Sequence, residues 1–264
     1  MTTACTLCGH SRNPAFEHAI LNGRRVTYYH CEQCGLLQTD EPTWLAEAYS
    51  EATSPLDAGL VARNAALSRT LSAVLSAVFD ARGTFIDIGG GHGLLTRWMR
   101  DYGFNFYWTD KYAQNLFARG FEVPANPGPV QGLVACEVME HIPDAKAFLQ
   151  DIFSRYLTKT LVFTTLTYEG APPGPDWWYY AFSAGQHVSF YTRKTLHTLA
   201  ETLGTRYYPL SDSLHIFTDR AISSLAVRLL SIKGGIRLYG GWRRFWKTLP
   251  SKTEADREWI SKQP

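Results

Sequence analysis

Apolar positions in the middle of the chain repeat with the periods of helices and buried strands. An unbroken apolar run at 84–88 predicts a buried strand, and it leads through the glycine-rich residues 89–93 into a helical pattern that starts at Leu94. Upstream, six apolar residues share one helical face and predict a helix that ends near residues 80–83: Leu60, Leu67, Leu71, Val74, Leu75 and Val78.

The alternation of strand-like and helix-like segments continues downstream. Strands are predicted at 104–109, 132–136, 161–165, 207–210 and 214–218, and helices at 113–119, 145–156 and 193–203. This order predicts an α/β fold with a mostly parallel, Rossmann-like sheet and helices on both faces. Because only the short turn 211–213 joins the last two strands, we expect an antiparallel hairpin there, with the last strand antiparallel.

Paired cysteines mark the amino-terminal segment, which has too few apolar residues to bury a core alone. Residues 1–10 lack the apolar centre of a signal peptide and no run of about 18 apolar residues occurs, so we expect a cytoplasmic, reducing location. Paired spacing there indicates metal ligands, and a four-thiolate site is closed and structural. The predicted zinc ligands are Cys5, Cys8, Cys31 and Cys34, and a glycine follows each pair. The alternative to a zinc site is four reduced thiols in a mobile tail. Cys136 lies in an apolar strand pattern and is predicted to be a core thiol.

Length and composition fit one α/β domain with a small appendage. The chain has 264 residues, of which 45% are hydrophobic and 19% are charged, as in globular proteins. The formal net charge of +2 gives no general argument for nucleic acid, although residues 219–249 hold seven Lys or Arg against one Asp. The predicted organisation is a zinc ribbon at 1–40, a linker and helix at 41–83, the main domain at 84–220 and a basic amphipathic tail at 221–264.

A glycine turn between a strand and a helix lets backbone amides approach a ligand closely, and the helix amino terminus favours negative charge there. The spacing Gly89-x-Gly91-x-Gly93, preceded by Asp87, differs from the G-x-G-x-x-G of dinucleotide sites and favours another adenosyl cofactor. Asp110, at the end of the next strand, is placed to accept hydrogen bonds from ribose hydroxyls, with a helix cap as the alternative role.

The runs 85–93 and 137–144, with Asp110 between them, resemble class I S-adenosylmethionine-dependent methyltransferases over about residues 84–220. In that family the glycine loop holds the methionine part of the cofactor, the acid after the second strand holds the ribose, and the segment after the fourth strand lines the sulfonium. The resemblance therefore implies cofactor contacts from Gly89, Gly91, Asp110 and Glu137.

The segment 29–38 resembles the cysteine-rich module that precedes the methyltransferase domain of deoxysugar C-methyltransferases. Those enzymes carry an active-site Glu-His pair and a large further carboxy-terminal domain, whereas this chain has Gln186-His187 and stops sooner. Gln186 stands where those enzymes have the glutamate, whose carboxylate could assist carbanion formation, so O-methylation is favoured over C-methylation. The resemblance suggests a sugar or bacterial glycan hydroxyl as acceptor, and a small natural product that is O- or C-methylated is the alternative.

Removal of a hydroxyl proton requires a general base near the sulfonium. His187 is the first candidate, because it closes an aromatic loop at 172–180 and a neutral imidazole accepts protons near the working pH. His141 and Tyr191 are further candidates, and a structural histidine is the alternative for His187. The loop itself is either a lid that stacks on the acceptor or a cover of the core.

Two readings outside this enzyme assignment remain open. The zinc ribbon and the basic tail suit a nucleic-acid-binding protein, but between Cys8 and Cys31 Arg12, Arg24 and Arg25 are the only Lys or Arg residues, which argues against it. Apolar and basic residues alternate at 221–246, which is typical of peripheral membrane contact or of a packed helix with a solvated basic face.

Overall fold

The computed structural model describes residues 4–49, 58–232, 234–236, 238, 241 and 249–262. The chain divides into two compact units. The first contains Met1–Ser54 and Cys136–Arg220, and the second contains Pro55–Ala135 and Ala221–Pro264. Helices and strands are numbered below in chain order.

The first unit holds eight of the strands assigned in the described residues. They are β1 (Asn13–Ile20), β2 (Arg24–His30), β3 (Leu37–Thr39), β7 (Leu161–Thr164), β8 (Thr167–Tyr168), β9 (Ser189–Thr192), β10 (Arg206–Pro209) and β11 (Leu214–Thr218). Its helices are α1 (Leu45–Ala48), α4 (Ala145–Tyr156) and α5 (Arg193–Thr202), with short 3-10 helices at Met139–His141 and Trp178–Tyr180.

Two groups of strands organise this unit. One is a five-stranded sheet in the order β1-β2-β3-β9-β8, in which β3 pairs antiparallel with β9 and β9 pairs parallel with β8. The cysteine-rich segment thus shares a sheet with residues far along the chain. In the other group β11 pairs antiparallel with both β10 and β7, which matches the predicted antiparallel last strand.

Aromatic side chains fill the core between the hairpin β1-β2 and the loop before β9. Phe16 stacks on Tyr28 with ring centroids 4.6 Å apart, and Tyr28 meets the edge of Tyr180 at 5.6 Å. Tyr179 and Tyr180 are buried, so these two residues of the aromatic loop cover the core, which is the alternative to a lid. Trp178 differs, because 75% of it is exposed.

The second unit is built on three parallel strands. They are β4 (Thr84–Ile88), β5 (Asn105–Thr109) and β6 (Val130–Ala135), with β4 paired to both neighbours. The helices are α2 (Leu60–Val78), α3 (Leu94–Asp101), α6 (Ser224–Ser231) and α7 (Thr253–Ser261). As the apolar periodicity predicts, α2 buries Leu71, Val74 and Leu75, and it packs against α3.

The predicted helix at 113–119 is wrong, because the residues there form bends and irregular chain. The Asp110 carboxylate accepts the backbone N–H groups of Tyr112 and Ala113, and the Asn115 side-chain oxygen accepts that of Ala118. Asp and Asn side chains that bond to nearby amides in this way compete with helix formation. The periodic apolar residues of this segment therefore lie on a loop.

The predicted basic tail is covered only in part. In α6 Leu225 and Leu229 are exposed and Leu230 is buried. Lys233, Arg237, Arg243 and Arg244 lie outside the described residues, so membrane contact through the tail stays a prediction. Across the described ranges, none of the helices combines the length and the hydropathy that a membrane crossing requires.

Candidate functional site

The glycine turn after β4 has the backbone that its sequence predicts. Gly89, Gly91 and Gly93 have φ of 66°, 53° and 85°, in the left-handed region that favours glycine. At Gly90 a Cβ atom would lie 2.8 Å from the Asp87 carboxylate and 2.7 Å from the Trp108 ring. The turn therefore keeps its backbone close to its neighbours, with the amino terminus of α3 directly after it.

Asp110 is hydrogen-bonded to this turn. Its Oδ2 accepts the N–H of Gly91 at 2.9 Å, while its Oδ1 accepts the two amides at 112 and 113, each at 2.7 Å. A carboxylate oxygen has two lone pairs, so Oδ2 can accept one more hydrogen bond. The second unit thus brings together Gly91 and Asp110, as a site for an adenosyl cofactor requires.

Asp87, in β4 just before the glycine turn, links the strand to the helix that follows the turn. It is buried, and its Oδ2 accepts the hydroxyl of Thr96 in α3 at 2.8 Å. Burial raises the pKa of Asp87 to about 7, since a charged carboxylate is poorly solvated there. The bond from Thr96 to Asp87 links α3 to β4. The role of Thr96 could not be predicted from the sequence, because a threonine at a helical position has no distinctive spacing.

Glu137, two residues after β6, has a strained backbone. Its φ of 55° is left-handed, which costs a non-glycine residue about 1–2 kcal/mol. The Thr164 hydroxyl accepts the Glu137 N–H at 2.9 Å and donates to the Glu137 carboxylate at 2.7 Å. Thr164 at the end of β7 therefore fixes both the backbone and the side chain of Glu137, and the sequence analysis did not single it out.

Glu140, His141 and His187 form a second group of polar side chains in the first unit, which we term the Glu140 cluster. One potential ligand atom from each lies within 4.8 Å of the others, and the two imidazole centroids are 4.8 Å apart at 85°. The first two residues belong to the 3-10 helix after β6, and His187 lies just before β9. The backbone bond from Val188 N–H to the Glu140 carbonyl, at 2.8 Å, joins the two segments.

Both imidazoles are held by backbone carbonyls. Nδ1 of His141 lies 3.1 Å from the Gln186 carbonyl oxygen, and Nδ1 of His187 lies 2.6 Å from that of Tyr179. A carbonyl oxygen only accepts, so each Nδ1 carries the proton and each Nε2 is left with its lone pair. Burial lowers the pKa of His141 to about 3 and that of His187 to about 4, so both rings are neutral.

The Glu140 carboxylate is fully buried. Neither of its oxygens has a hydrogen-bond partner among the described residues, although the hydroxyls of Thr165 and Tyr179 lie near it. Burial, and next the neighbouring carboxylate of Glu137, raises the pKa of Glu140 to about 8. Glu140 precedes His141 in the sequence, but its burial is not visible there.

The Tyr191 hydroxyl has a different position. It donates to the Met139 carbonyl at 2.8 Å and is buried, and burial raises its pKa. The bond supports the 3-10 helix that carries Glu140 and His141.

Four thiols converge in the amino-terminal segment. Sγ of Cys5 lies 3.6 Å from that of Cys34, and Sγ of Cys8 lies 3.5 Å from that of Cys31. Two thiolates at tetrahedral angles, 2.3 Å from one zinc ion, are about 3.8 Å apart, so the tetrad fits zinc. Gly9 and Gly35 after each pair have φ of 74° and 77°, as the turns require.

The chain has an α/β, Rossmann-like methyltransferase fold with a mixed sheet of mostly parallel strands. Residues 62–209 match the family described as Methyltransferase domain, and the chain belongs to that family. No curated protein matches the sequence.

Solved structures with a similar fold are distant in sequence. The 1,6-didemethyltoxoflavin-N1-methyltransferase of Burkholderia thailandensis is 16% identical with a TM-score of 0.47, over 77% of this chain and 97% of that one. An O-methyltransferase family 2 protein of Planctomyces limnophilus, in complex with apigenin, is 14% identical with a TM-score of 0.42, over 65% and 63%. The mitomycin 7-O-methyltransferase MmcR is 16% identical with a TM-score of 0.40. The match covers 57% of this chain and only 53% of MmcR.

Proposed function

We propose that the chain transfers the methyl group of S-adenosylmethionine to a hydroxyl of a small molecule, with a sugar or glycan hydroxyl as the first candidate. The observation that carries this proposal is the pair of neutral imidazoles, His141 and His187, each with an unprotonated Nε2. Methyl transfer to a hydroxyl releases a proton, and a lone pair held in place is what accepts it.

The glycine turn and Asp110 hold the cofactor in this proposal. The family resemblance gives the glycine turn, with Gly89 and Gly91, the role of holding the methionine part. The Gly91 amide donates to Oδ2 of Asp110, and the remaining lone pair on that oxygen accepts a ribose hydroxyl. Asp87 contributes by supporting the turn through Thr96. Glu137, held in its strained conformation by Thr164, lines the region of the sulfonium, as the family resemblance implies.

His187 is the proposed proton acceptor, and His141 is the competing one. The bond from His187 Nδ1–H to the Tyr179 carbonyl fixes the ring and its tautomer, which leaves Nε2 as the reactive nitrogen. Tyr191 acts as a positioning residue rather than as a base, because its hydroxyl proton is already bonded to the Met139 carbonyl.

The exposed indole of Trp178 supports a flat acceptor. It contacts Tyr179 with ring centroids 5.4 Å apart, and Tyr179 in turn contacts His187 at 4.8 Å. An exposed indole face stacks on the apolar face of a sugar or on a phenolic ring. A phenolic natural product is therefore the second candidate acceptor.

The cysteine tetrad has a structural role in this proposal. Four thiolates close the coordination sphere of a zinc ion, so the ion holds the amino-terminal turns together and takes no part in methyl transfer. Thr195 at the start of α5 donates to the Cys34 carbonyl at 2.9 Å, which links the tetrad to the rest of the first unit.

Radiolabelled S-adenosylmethionine and a panel of nucleotide sugars, glycans and small phenols test this function. We expect label transfer to one hydroxyl acceptor class, and His187→Ala should lower kcat by about 100-fold or more with cofactor affinity retained. His197→Ala, an exposed histidine that pairs with Glu201 on α5, is the matched control and should leave kcat unchanged. Near-normal kcat in folded His187→Ala protein would contradict the proposed base.

A further inference from the structure

The Glu140 cluster contains the proposed general base, and its three side chains are also those of a cation site. Two imidazole nitrogens and one carboxylate are a ligand set that divalent transition metals accept. The three residues come from two segments, 140–141 and 187, which are joined by the Val188–Glu140 backbone bond. This group is separate from the cysteine tetrad, whose four soft thiolates suit zinc.

The orientation of both rings is that of metal-bound histidines. Such histidines usually donate the second ring N–H to a carbonyl or carboxylate, which fixes the ring and exposes the ligating nitrogen. His141 bonds in this way to the Gln186 carbonyl and His187 to the Tyr179 carbonyl. In each ring these bonds leave Nε2 as the nitrogen that is free to bind a cation.

The burial of the Glu140 carboxylate is the independent observation. A buried carboxylate is costly when its hydrogen bonding is incomplete, and neither oxygen of Glu140 has a well-formed hydrogen bond within the described residues, although the hydroxyls of Thr165 and Tyr179 lie near it. The nearby Glu137 carboxylate disfavours a negative charge on Glu140 unless a cation is present. A cation between Glu140 and the two nitrogens offsets this cost, whereas the two neutral rings alone do not.

The spacing permits this. Ligands that are 2.0–2.2 Å from one ion lie about 3–4 Å from one another, and the atoms here lie within 4.8 Å. Side-chain movements of about 1 Å therefore bring the ligand atoms to the distances that one ion requires. Three protein ligands leave at least one coordination position open, as in catalytic rather than structural metal sites.

We infer that Glu140, His141 and His187 bind a divalent transition-metal cation whose open position takes the acceptor hydroxyl. The catalytic part rests on the proposed function. A hydroxyl on the cation has a lowered pKa, so its O–H bond breaks to water, the oxygen attacks the methyl carbon, and the S–CH3 bond breaks to give S-adenosylhomocysteine. In the metal-bound enzyme His187 is a ligand, and the cation replaces it in activating the hydroxyl.

The test uses the full chain after one equivalent of zinc has filled the cysteine tetrad. Mn²⁺ is the probe, because thiolates bind it poorly and imidazole and carboxylate ligands bind it better. Calorimetry and electron paramagnetic resonance should find one Mn²⁺ per chain in the wild type. Glu140→Gln, which keeps the shape but removes the charge, should weaken Mn²⁺ binding at least tenfold, and His141→Ala should do the same.

Glu201→Gln, an exposed carboxylate on α5, is the matched control and should bind Mn²⁺ as the wild type does. The melting temperature and S-adenosylmethionine affinity of each variant verify that it is folded. Absence of bound Mn²⁺ in the wild type, or equal binding by folded Glu140→Gln and His141→Ala proteins, overturns the metal site.

Activity is measured separately, so that the two proposals fail differently. An increase in kcat of at least tenfold on adding Mn²⁺ supports the catalytic role, and an unchanged or reduced kcat in protein that binds Mn²⁺ overturns it. Methyl transfer to hydroxyls without added cation, abolished in His187→Ala, supports the proposed function while it overturns the need for a metal. Mn²⁺ binding without transfer to any hydroxyl acceptor overturns the proposed function and leaves the metal site standing.

Discussion

The hydroxyl of Tyr168 donates a hydrogen bond of 2.6 Å to the carbonyl of Gly35, the glycine that follows the second cysteine pair. Tyr168 ends β8, at one edge of the five-stranded sheet, and Gly35 precedes the central strand β3, with β9 between the two strands. Both groups are buried, so this bond is protected from water. The cysteine turns are therefore built into the fold of the first unit rather than carried on an independent appendage.

Tyr168→Phe removes the donor and leaves the buried Gly35 carbonyl with one partner fewer. We expect the free energy of unfolding to fall by about 1–3 kcal/mol, as for other unsatisfied buried groups. Chemical denaturation measures this change. Tyr156→Phe, at the end of α4, is the control for loss of a tyrosine hydroxyl and should have a smaller effect. Equal stability of Tyr168→Phe and the wild type would mean that the bond is not formed in solution.

The zinc content of the purified chain tests the tetrad directly. Elemental analysis should find one zinc per chain, and Cys34→Ser should lose it and melt at a lower temperature. Zinc binding supplies about 10 kcal/mol or more in comparable small modules, so the loss should be large. Cys136→Ser, which alters the cysteine outside the tetrad, should keep one zinc. A full equivalent of zinc in Cys34→Ser would contradict the four-thiolate site.

Asp110 has two roles in the proposed cofactor site. Asp110→Ala removes both the proposed ribose acceptor and the partner of the Gly91 amide. Hydrogen bonds to a charged group are worth about 1.5–3 kcal/mol, so S-adenosylmethionine should bind roughly 10- to 100-fold more weakly. Calorimetry measures the affinity, with Asp151→Ala, an exposed carboxylate on α4, as the control. Unchanged affinity in Asp110→Ala would exclude the proposed contact.

Periodicity was enough to predict the parallel core, because buried strands and the face of α2 leave a regular apolar pattern. It failed at 113–119, where local side-chain bonds from Asp110 and Asn115 outweigh the helical pattern. It also missed β3, which has three residues, and the pairing of β3 with β9, since contacts between distant segments leave no trace in local periodicity.

Some features of the candidate site could be predicted from the sequence, and others could not. Spacing was sufficient for the cysteine tetrad and for the glycine turn, where residue type and backbone conformation are linked. It did not reveal that Glu140 is buried beside two histidines, or that Thr96 and Thr164 support Asp87 and Glu137. Those roles depend on where the chain folds back on itself, which a single sequence does not encode in any motif.

His215 predicts how stability depends on pH. It is buried, with Nε2 3.0 Å from the Thr165 carbonyl oxygen and Nδ1 3.0 Å from the Tyr207 hydroxyl. Burial lowers its pKa from 6.5 to about 4, so between these values the unfolded chain binds a proton that the folded chain does not. Its contribution is complete above pH 6.5 and falls by up to about 3 kcal/mol as the pH decreases to 4.

Other buried histidines titrate in the same window, so the variant isolates His215. His215→Gln offers a side-chain donor and acceptor but no titration. Its free energy of unfolding, from denaturation at several pH values between 4 and 7, should decrease less steeply than that of the wild type. Parallel slopes for the two proteins would show that His215 is not the group responsible.

The last prediction concerns the ion pair that holds α7 to α3. Both oxygens of the Asp256 carboxylate accept from Arg100, at 2.6 and 2.7 Å, and Arg97 adds a bond of 2.8 Å. Arg100 and Asp256 are buried, so Asp256→Ala leaves a buried guanidinium unpaired, and we expect a loss of about 3–5 kcal/mol in the free energy of unfolding. Glu258→Ala on the same helix removes an exposed pair with Lys262, which is worth at most about 1 kcal/mol. Chemical denaturation of both variants gives the comparison. Similar losses in the two would show that α7 is not fixed by Arg100, whereas a large loss confined to Asp256→Ala would show that this short helix is part of the folded second unit.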